Sequence, residues 1–97
     1  MTLRLPPDEY AKLCSIVLGR DGFKCKSCEF RQSLHVHHIV FRSQEGPDEE
    51  WNLVTLCSSC HNGVHKDIHN GEFGLVITVT KDPYVLVIKR ASWWRPK

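Results

Sequence analysis

At 97 residues the chain has the length of one domain, and a domain this small buries a modest share of its surface, so a covalent or metal staple is expected. Thirteen basic against 11 acidic side chains leave a net charge of +2, too mild by itself to require a polyanionic partner, and no apolar run approaches the ~20 residues of a bilayer span. Five cysteines, an odd number with two pairs at x-x spacing, favour metal ligation in a reducing cytoplasm over a secreted disulfide framework. The opening Met1-Thr2-Leu3-Arg4-Leu5-Pro6-Pro7-Asp8 lacks the apolar core of an export signal, so a soluble cytoplasmic protein is expected.

In chain order, Pro7 to Leu18 reads as a helix. Pro6 and Pro7 suit its first turn, Tyr10, Leu13, Cys14, Val17 and Leu18 recur at helical spacing, and Gly19 marks the stop. Cys14 lies on that apolar stripe and reads as a small buried hydrophobe. Arg20-Asp21-Gly22 then turns the chain into Phe23-Lys24-Cys25-Lys26-Ser27-Cys28, which has the shape of a metal-binding knuckle. Leu34 to Val40 has the β-branched content of a short strand, Arg42 to Glu50 reads as a loop, and Asn52 to Leu56 returns as a second strand. Ser58 or Ser59 caps a helix from about Cys60 to Lys66, which puts His61 and His65 on one face.

The end of the chain changes character. Leu75 to Thr80 and Tyr84 to Arg90 are β-rich and joined by Lys81-Asp82-Pro83, so a hairpin is predicted. The tail from Lys89 to Lys97 mixes basic and aromatic residues; Trp93 and Trp94 read first as cover for the core and second as nucleic-acid contacts. Acid is concentrated between Glu45 and Glu50, which leaves a positive face to be formed elsewhere. The whole is one α+β domain over residues 1–97: an N-terminal helix (7–18), a metal-bearing core (20–66), and a hairpin with its tail (74–97).

Two ligand sets of different chemistry are interleaved in that core. Cys25, Cys28, Cys57 and Cys60, two pairs about thirty residues apart, have the spacing of a closed tetrahedral zinc site. His37, His38, His61 and His65 supply imidazoles for an open, reactive metal. Neighbours on a strand point to opposite sides, so His37 and His38 divide the work. His37 joins His61 and His65 as ligands, and His38 takes a proton from an attacking water.

These residues, with Asn52, resemble the HNH nuclease family, the ββα-metal nucleases. The resemblance covers about residues 20 to 66 and is carried by Leu34-His35-Val36-His37-His38-Ile39 and by the block from Asn52 to Cys57 and on through Cys60-His61. It implies a small ββα-metal fold in which His38 is the general base, Asn52 holds the loop and the base, His61 is a metal ligand, His37 stands where the family has a metal-binding Asp or His, and His65 matches the last ligand of the bacterial toxin branch. Two departures stand out: Glu29 follows the first Cys pair where glycine is common, and the loop reads Gln44-Glu45-Gly46-Pro47-Asp48 in place of a double glycine. An all-imidazole site is also softer than one with a carboxylate and favours Zn²⁺, Ni²⁺, Co²⁺ or Mn²⁺ over Mg²⁺.

The expected function is metal-dependent hydrolysis of DNA phosphodiester bonds, as a nickase or a double-strand endonuclease, with a structural Zn²⁺ and one catalytic divalent ion. The competing expectation is a zinc-dependent nucleic-acid-binding module that does not cut. Arg42, Lys66, Arg90 and Arg95 are the candidate DNA contacts. His35 reads as solvent-facing ahead of a partner to the ligands, and His69 as outside the site. Restriction, phage packaging, homing, toxicity and repair are roles the family fills alike, and specificity is left to a second copy of the chain or a larger partner.

Overall fold

A computed structural model describes residues 4–65 and 74–94. The order is helix α1 (Pro7–Arg20), strands β1 (Leu34–His38) and β2 (Leu53–Cys57), helix α2 (Ser58–Gly63), and strands β3 (Leu75–Lys81) and β4 (Tyr84–Arg90). This is the expected α+β arrangement, a helix–hairpin–helix core followed by a second hairpin. Lys66, His69 and Arg95 lie outside the described residues.

Helix α1 has proline and the acids Asp8 and Glu9 in its first turn, where free N–H groups favour negative charge. Its stripe turns inward as predicted: Val17 is fully buried, and Tyr10, Leu13, Cys14 and Leu18 are half-buried. The helix runs two residues past Leu18, so Gly19 is not its stop. Termination falls to Gly22, whose φ of 74° only glycine adopts without strain. Arg20 and Asp21 are anchors and more than a turn. The buried Asp21 carboxylate accepts from Arg20 at 2.8 and 3.0 Å and from the Thr55 backbone of β2 at 3.0 Å. Burial works to raise the Asp21 pKa, but these donors outweigh it and hold the group below the usual carboxylate range. Arg20 also donates to the carbonyls of Glu50 and Leu53, at 2.8 and 2.7 Å, and so bolts the helix end to β2.

Strands β1 and β2 pair antiparallel, from Leu34 opposite Cys57 to His38 opposite Leu53. β1 stops at His38, two residues short of expectation, because Asn52 takes over the backbone beyond it. The Asn52 carbonyl accepts from the Ile39 N–H, and its Oδ1 accepts from the Val40 N–H, both at 2.8 Å. β2 begins after Asn52, not at it, and every one of its residues is buried. The intervening loop carries two short 3-10 turns, Arg42–Gln44 and Glu50–Asn52. Gly46 is obligatory there, since a Cβ would lie 1.7 Å from the Val40 carbonyl oxygen.

Helix α2 starts at Ser58 with Cys57 at its cap position, so neither Ser58 nor Ser59 is the cap. It ends at Gly63, sooner than expected, and His65 follows the helix, tied by its N–H to the Asn62 carbonyl at 3.1 Å. Trp94 explains the small residues here. Its indole is wedged so tightly that a Cβ on Gly63 or Gly74 would lie within 2.5 Å of the ring. Trp94 is thus core cover, whereas Trp93 stays 42% exposed.

The hairpin β3–β4 pairs Leu75 with Arg90 through Lys81 with Tyr84, so Lys81 belongs to the strand and the turn is Asp82-Pro83. Its inner side chains, Ile77, Leu86 and Ile88, pack on a core formed by Val54, Leu56, Val64, Leu75 and the thiols Cys25, Cys57 and Cys60. The cysteines are therefore core residues as well as ligands. Among the described residues, no helix is long and apolar enough to cross a membrane.

Candidate metal centres and active site

Backbone hydrogen bonds shape the knuckle. The N–H groups of Ser27 and Cys28 point at Cys25 Sγ at 3.4 and 3.5 Å, and the Cys25 N–H donates to the Phe30 carbonyl at 2.8 Å. Glu29 supplies the tight return with a φ of 67°, the conformation for which glycine is the strain-free choice. The Lys26 N–H then donates to the Thr55 carbonyl at 3.0 Å, which brings this turn beside the end of β2. There β2 delivers Cys57 and the first turn of α2 delivers Cys60.

As a result the four sulfurs lie within 4.8 Å of one another, with Cys28 and Cys57 at 3.6 Å. Zinc–sulfur bonds of about 2.3 Å in a tetrahedron set sulfurs about 3.8 Å apart, so the cluster fits a structural zinc. The metal-free electrostatics point the same way. Burial pushes the Cys60 thiol far up, and the neighbouring Cys25 adds to it. At Cys25 burial acts in the same sense but is outweighed by backbone N–H groups, so that thiol is lowered. A bound dication resolves the conflict by favouring the thiolate at every position.

The histidines are assembled differently. His37 faces inward from β1 at 5% exposure, its ring centroid 5.1 Å from that of His61, and His61 lies 5.4 Å from His65. The three expected ligands are thus brought together, even though His65 lies beyond the helix. Burial, reinforced by His61, His65 and His38, pushes the His37 pKa down to about 4; burial with His35 and His65 lowers that of His61. Both imidazoles are kept neutral, the form that binds a metal. Among the described residues, however, only the thiols form a group of three or more such ligand atoms within 4.8 Å.

His38 points the other way, as strand alternation requires. Its Nε2 lies 2.9 Å from Asp48 Oδ1, and its ring stacks on Tyr10 at 5.9 Å and 14°. Both faces nevertheless meet in one open cleft of about 300 Å³, lined by His37, His38, Phe41, Arg42, His61 and His65 among others, because β1 ends at His38. Asn52 is fully buried beneath it; besides Val40, its Nδ2 donates to the Pro47 carbonyl at 3.0 Å. Asn52 thus holds the loop backbone and reaches no open surface.

Three neighbours escape a reading of the sequence, and a fourth, His35, reads there first as solvent-facing. Phe41 stands edge-on to His37 and stacks on His65; His35, although exposed, stacks on His61 at 5.4 Å and 24°, closer to the site than a purely solvent-facing reading allows. Tyr10 comes from α1, and Asp48, only 1% exposed, comes from the acidic run. Strand parity with His37 is the one signal that pointed to His35; nothing local singled out the others. Arg42 is half-exposed at the cleft, engaged with Asp48 at 3.3 Å and lying 4.8 Å over the Tyr10 ring. Arg90 lies over Trp94 at 5.8 Å, away from the residues lining the cleft.

Residues 25–67 match the family model described as HNH endonuclease. The chain is also 33% identical over 69 residues to Anaredoxin of Nostoc sp. (strain PCC 7120), an alignment that covers 65% of this chain and 91% of that protein. No solved structure matches it. The matched segment opens at Cys25 and takes in β1, β2, α2 and the histidine cluster, and on that ground the chain belongs to the HNH endonuclease family.

Proposed function

We propose that this protein is a metal-dependent endonuclease that hydrolyses DNA phosphodiester bonds, with His38 as general base and His37, His61 and His65 as ligands of one divalent ion. The observation that carries the reading is the cleft in which the inward imidazoles and the outward His38 meet. When bound, the ion supplies Lewis-acid chemistry at the scissile phosphate and charge stabilisation at the leaving oxygen. His37, His61 and His65 hold its position, the first two kept neutral by burial. His38 accepts the proton of a water aligned on phosphorus; the new P–O bond forms as the ester P–O bond breaks, and the leaving oxygen takes its proton from solvent. Arg42, at the cleft mouth, meets a phosphate oxygen with its exposed guanidinium edge. The imidazole donor set suits Mn²⁺, Ni²⁺, Co²⁺ or Zn²⁺ better than Mg²⁺. Lys66, Arg90 and Arg95 extend the DNA contact, and a second copy of the chain or a larger partner supplies specificity in the cytoplasm.

A second reading, a zinc-dependent nucleic-acid-binding module, draws support from one fact: among the described residues the imidazoles are not gathered as tightly as the thiols. Supercoiled-plasmid cleavage separates the two. Protein carrying one zinc per chain and freed of other metals is given each divalent ion singly, beside His38→Ala. The endonuclease reading expects nicking restored by at least one ion and reduced by about 10²-fold or more in the variant, at unchanged melting temperature and zinc content. A gel shift with no cutting under any ion favours the binding module.

A further inference from the structure

Asp48 is a carboxylate at 1% exposure beside an open cleft, and it is heavily engaged. Oδ1 is 2.9 Å from His38 Nε2 and 3.3 Å from Arg42 Nη2; Oδ2 accepts from the Leu5 N–H at 3.1 Å and from Arg42 at 3.3 Å; Arg4 lies at 3.7 Å. Burial alone would raise its pKa, but the His38, Leu5 and Arg42 interactions prevail and hold it low. Asp48 is therefore ionised and can only accept hydrogen bonds. The His38 nitrogen facing it must then be the one that carries a proton. In neutral His38 this leaves Nδ1 with its lone pair free.

The plane of the ring is set as well. Tyr10 stacks nearly parallel on His38, and Arg42, itself bound to Asp48, lies over Tyr10. Burial and its contact with Cys14 push the Tyr10 phenol up to about 12, so this clamp stays neutral. The N-terminal segment, α1, β1 and the loop thus converge on one imidazole, which is more restraint than a surface histidine receives.

We propose that Asp48 is a positioning residue for hydrolysis: it locks His38 in the Nε2–H tautomer, so that Nδ1 is the atom that takes the proton from water. This rests on the endonuclease reading for its catalytic meaning, but the tautomer itself is measurable without any reaction. In ¹⁵N-resolved imidazole spectra of the zinc-loaded protein at pH 8, His38 should show a protonated Nε2 and a bare Nδ1. In Asp48→Asn the amide can donate to Nε2, so the Nδ1–H form should become populated. The corresponding kcat should fall by about 10²-fold or more, as tautomer reversal does elsewhere, with KM within about twofold and zinc content unchanged. A protonated Nδ1 in the wild type overturns the proposal and needs no variant to fold. Unchanged tautomer and kcat in a folded Asp48→Asn protein overturn it equally. If the wild type fails to cut DNA with every divalent ion supplied, the endonuclease reading fails while the spectra still decide whether Asp48 sets His38.

Discussion

The four-thiol cluster and the histidine cluster share helix α2, which carries Cys60 of one and His61 of the other, yet they are built to opposite ends. The thiols belong to the hydrophobic core, three of them buried, with sulfurs already near tetrahedral spacing and N–H groups aimed at one of them. The imidazoles line an open cleft at ring separations of 5.1–5.4 Å, with His37 buried and His65 exposed. A closed shell that completes a core stabilises the fold, whereas an open one keeps room for water and substrate. The difference teaches that in a chain this small a cluster of thiols can take the place of missing core, while the imidazoles are left at an open surface.

That contrast can be broken from its strong side first. Cys57→Ser, or chelation of the bound zinc, should remove on the order of 10 kcal/mol of binding-coupled stability and leave the chain unfolded by circular dichroism. The hairpin should go with it, because Ile77, Leu86 and Ile88 pack on that same sulfur-containing cluster. A zinc-free protein with native dispersion of amide signals would refute the core role.

On the histidine side the effect is smaller and depends on pH. His37 has a folded pKa of about 4, below the ordinary 6.5. Between these values the unfolded chain binds a proton that the native state does not, so stability is complete above pH 6.5 and falls as pH drops toward 4. Without added divalent metal, the loss traceable to His37 should be about 2 kcal/mol by pH 5. It would appear in urea melts as a steeper acid dependence for the wild type than for His37→Gln. Parallel curves would show that burial does not hold His37 neutral.

The smallest effect compares the two sites on equal terms. Glu29 beside the thiols and Glu45 in the loop after β1 both have positive φ, 67° and 63°, a conformation that favours glycine. Glu45→Gly should raise stability by about 1 kcal/mol. Glu29→Gly should gain slightly less, since it also gives up the exposed 2.8 Å pair with Lys24. A lowered melting temperature in either would mean that the side chain has a role beyond the strain it imposes. Gly46 admits no such exchange, because the Val40 carbonyl occupies the space of a Cβ.

Much of this was legible before any coordinates. The Cys-x-x-Cys spacings specify two turns that must meet, and the alternation of a strand sends His37 and His38 to opposite sides whatever surrounds them. The apolar stripe of α1 and the β-rich runs of the second hairpin were read correctly as elements. Their ends are decided by partners: Asn52 stops β1, Trp94 packs where α2 ends, and Gly22 instead of Gly19 ends α1.

By itself, then, the sequence determined which ligand-type residues stand at which spacing, because residue type and local spacing are properties of short stretches of chain. Only the tertiary structure decided what surrounds them. Asp48 stands in the acidic run from Glu45 to Glu50 and Tyr10 in a helix far before His38 in the chain, yet packing α1 and the loop against β1 puts both on that imidazole. Such neighbours are chosen by burial and by the need to satisfy a charge away from water, and neither requirement leaves a trace in local pattern.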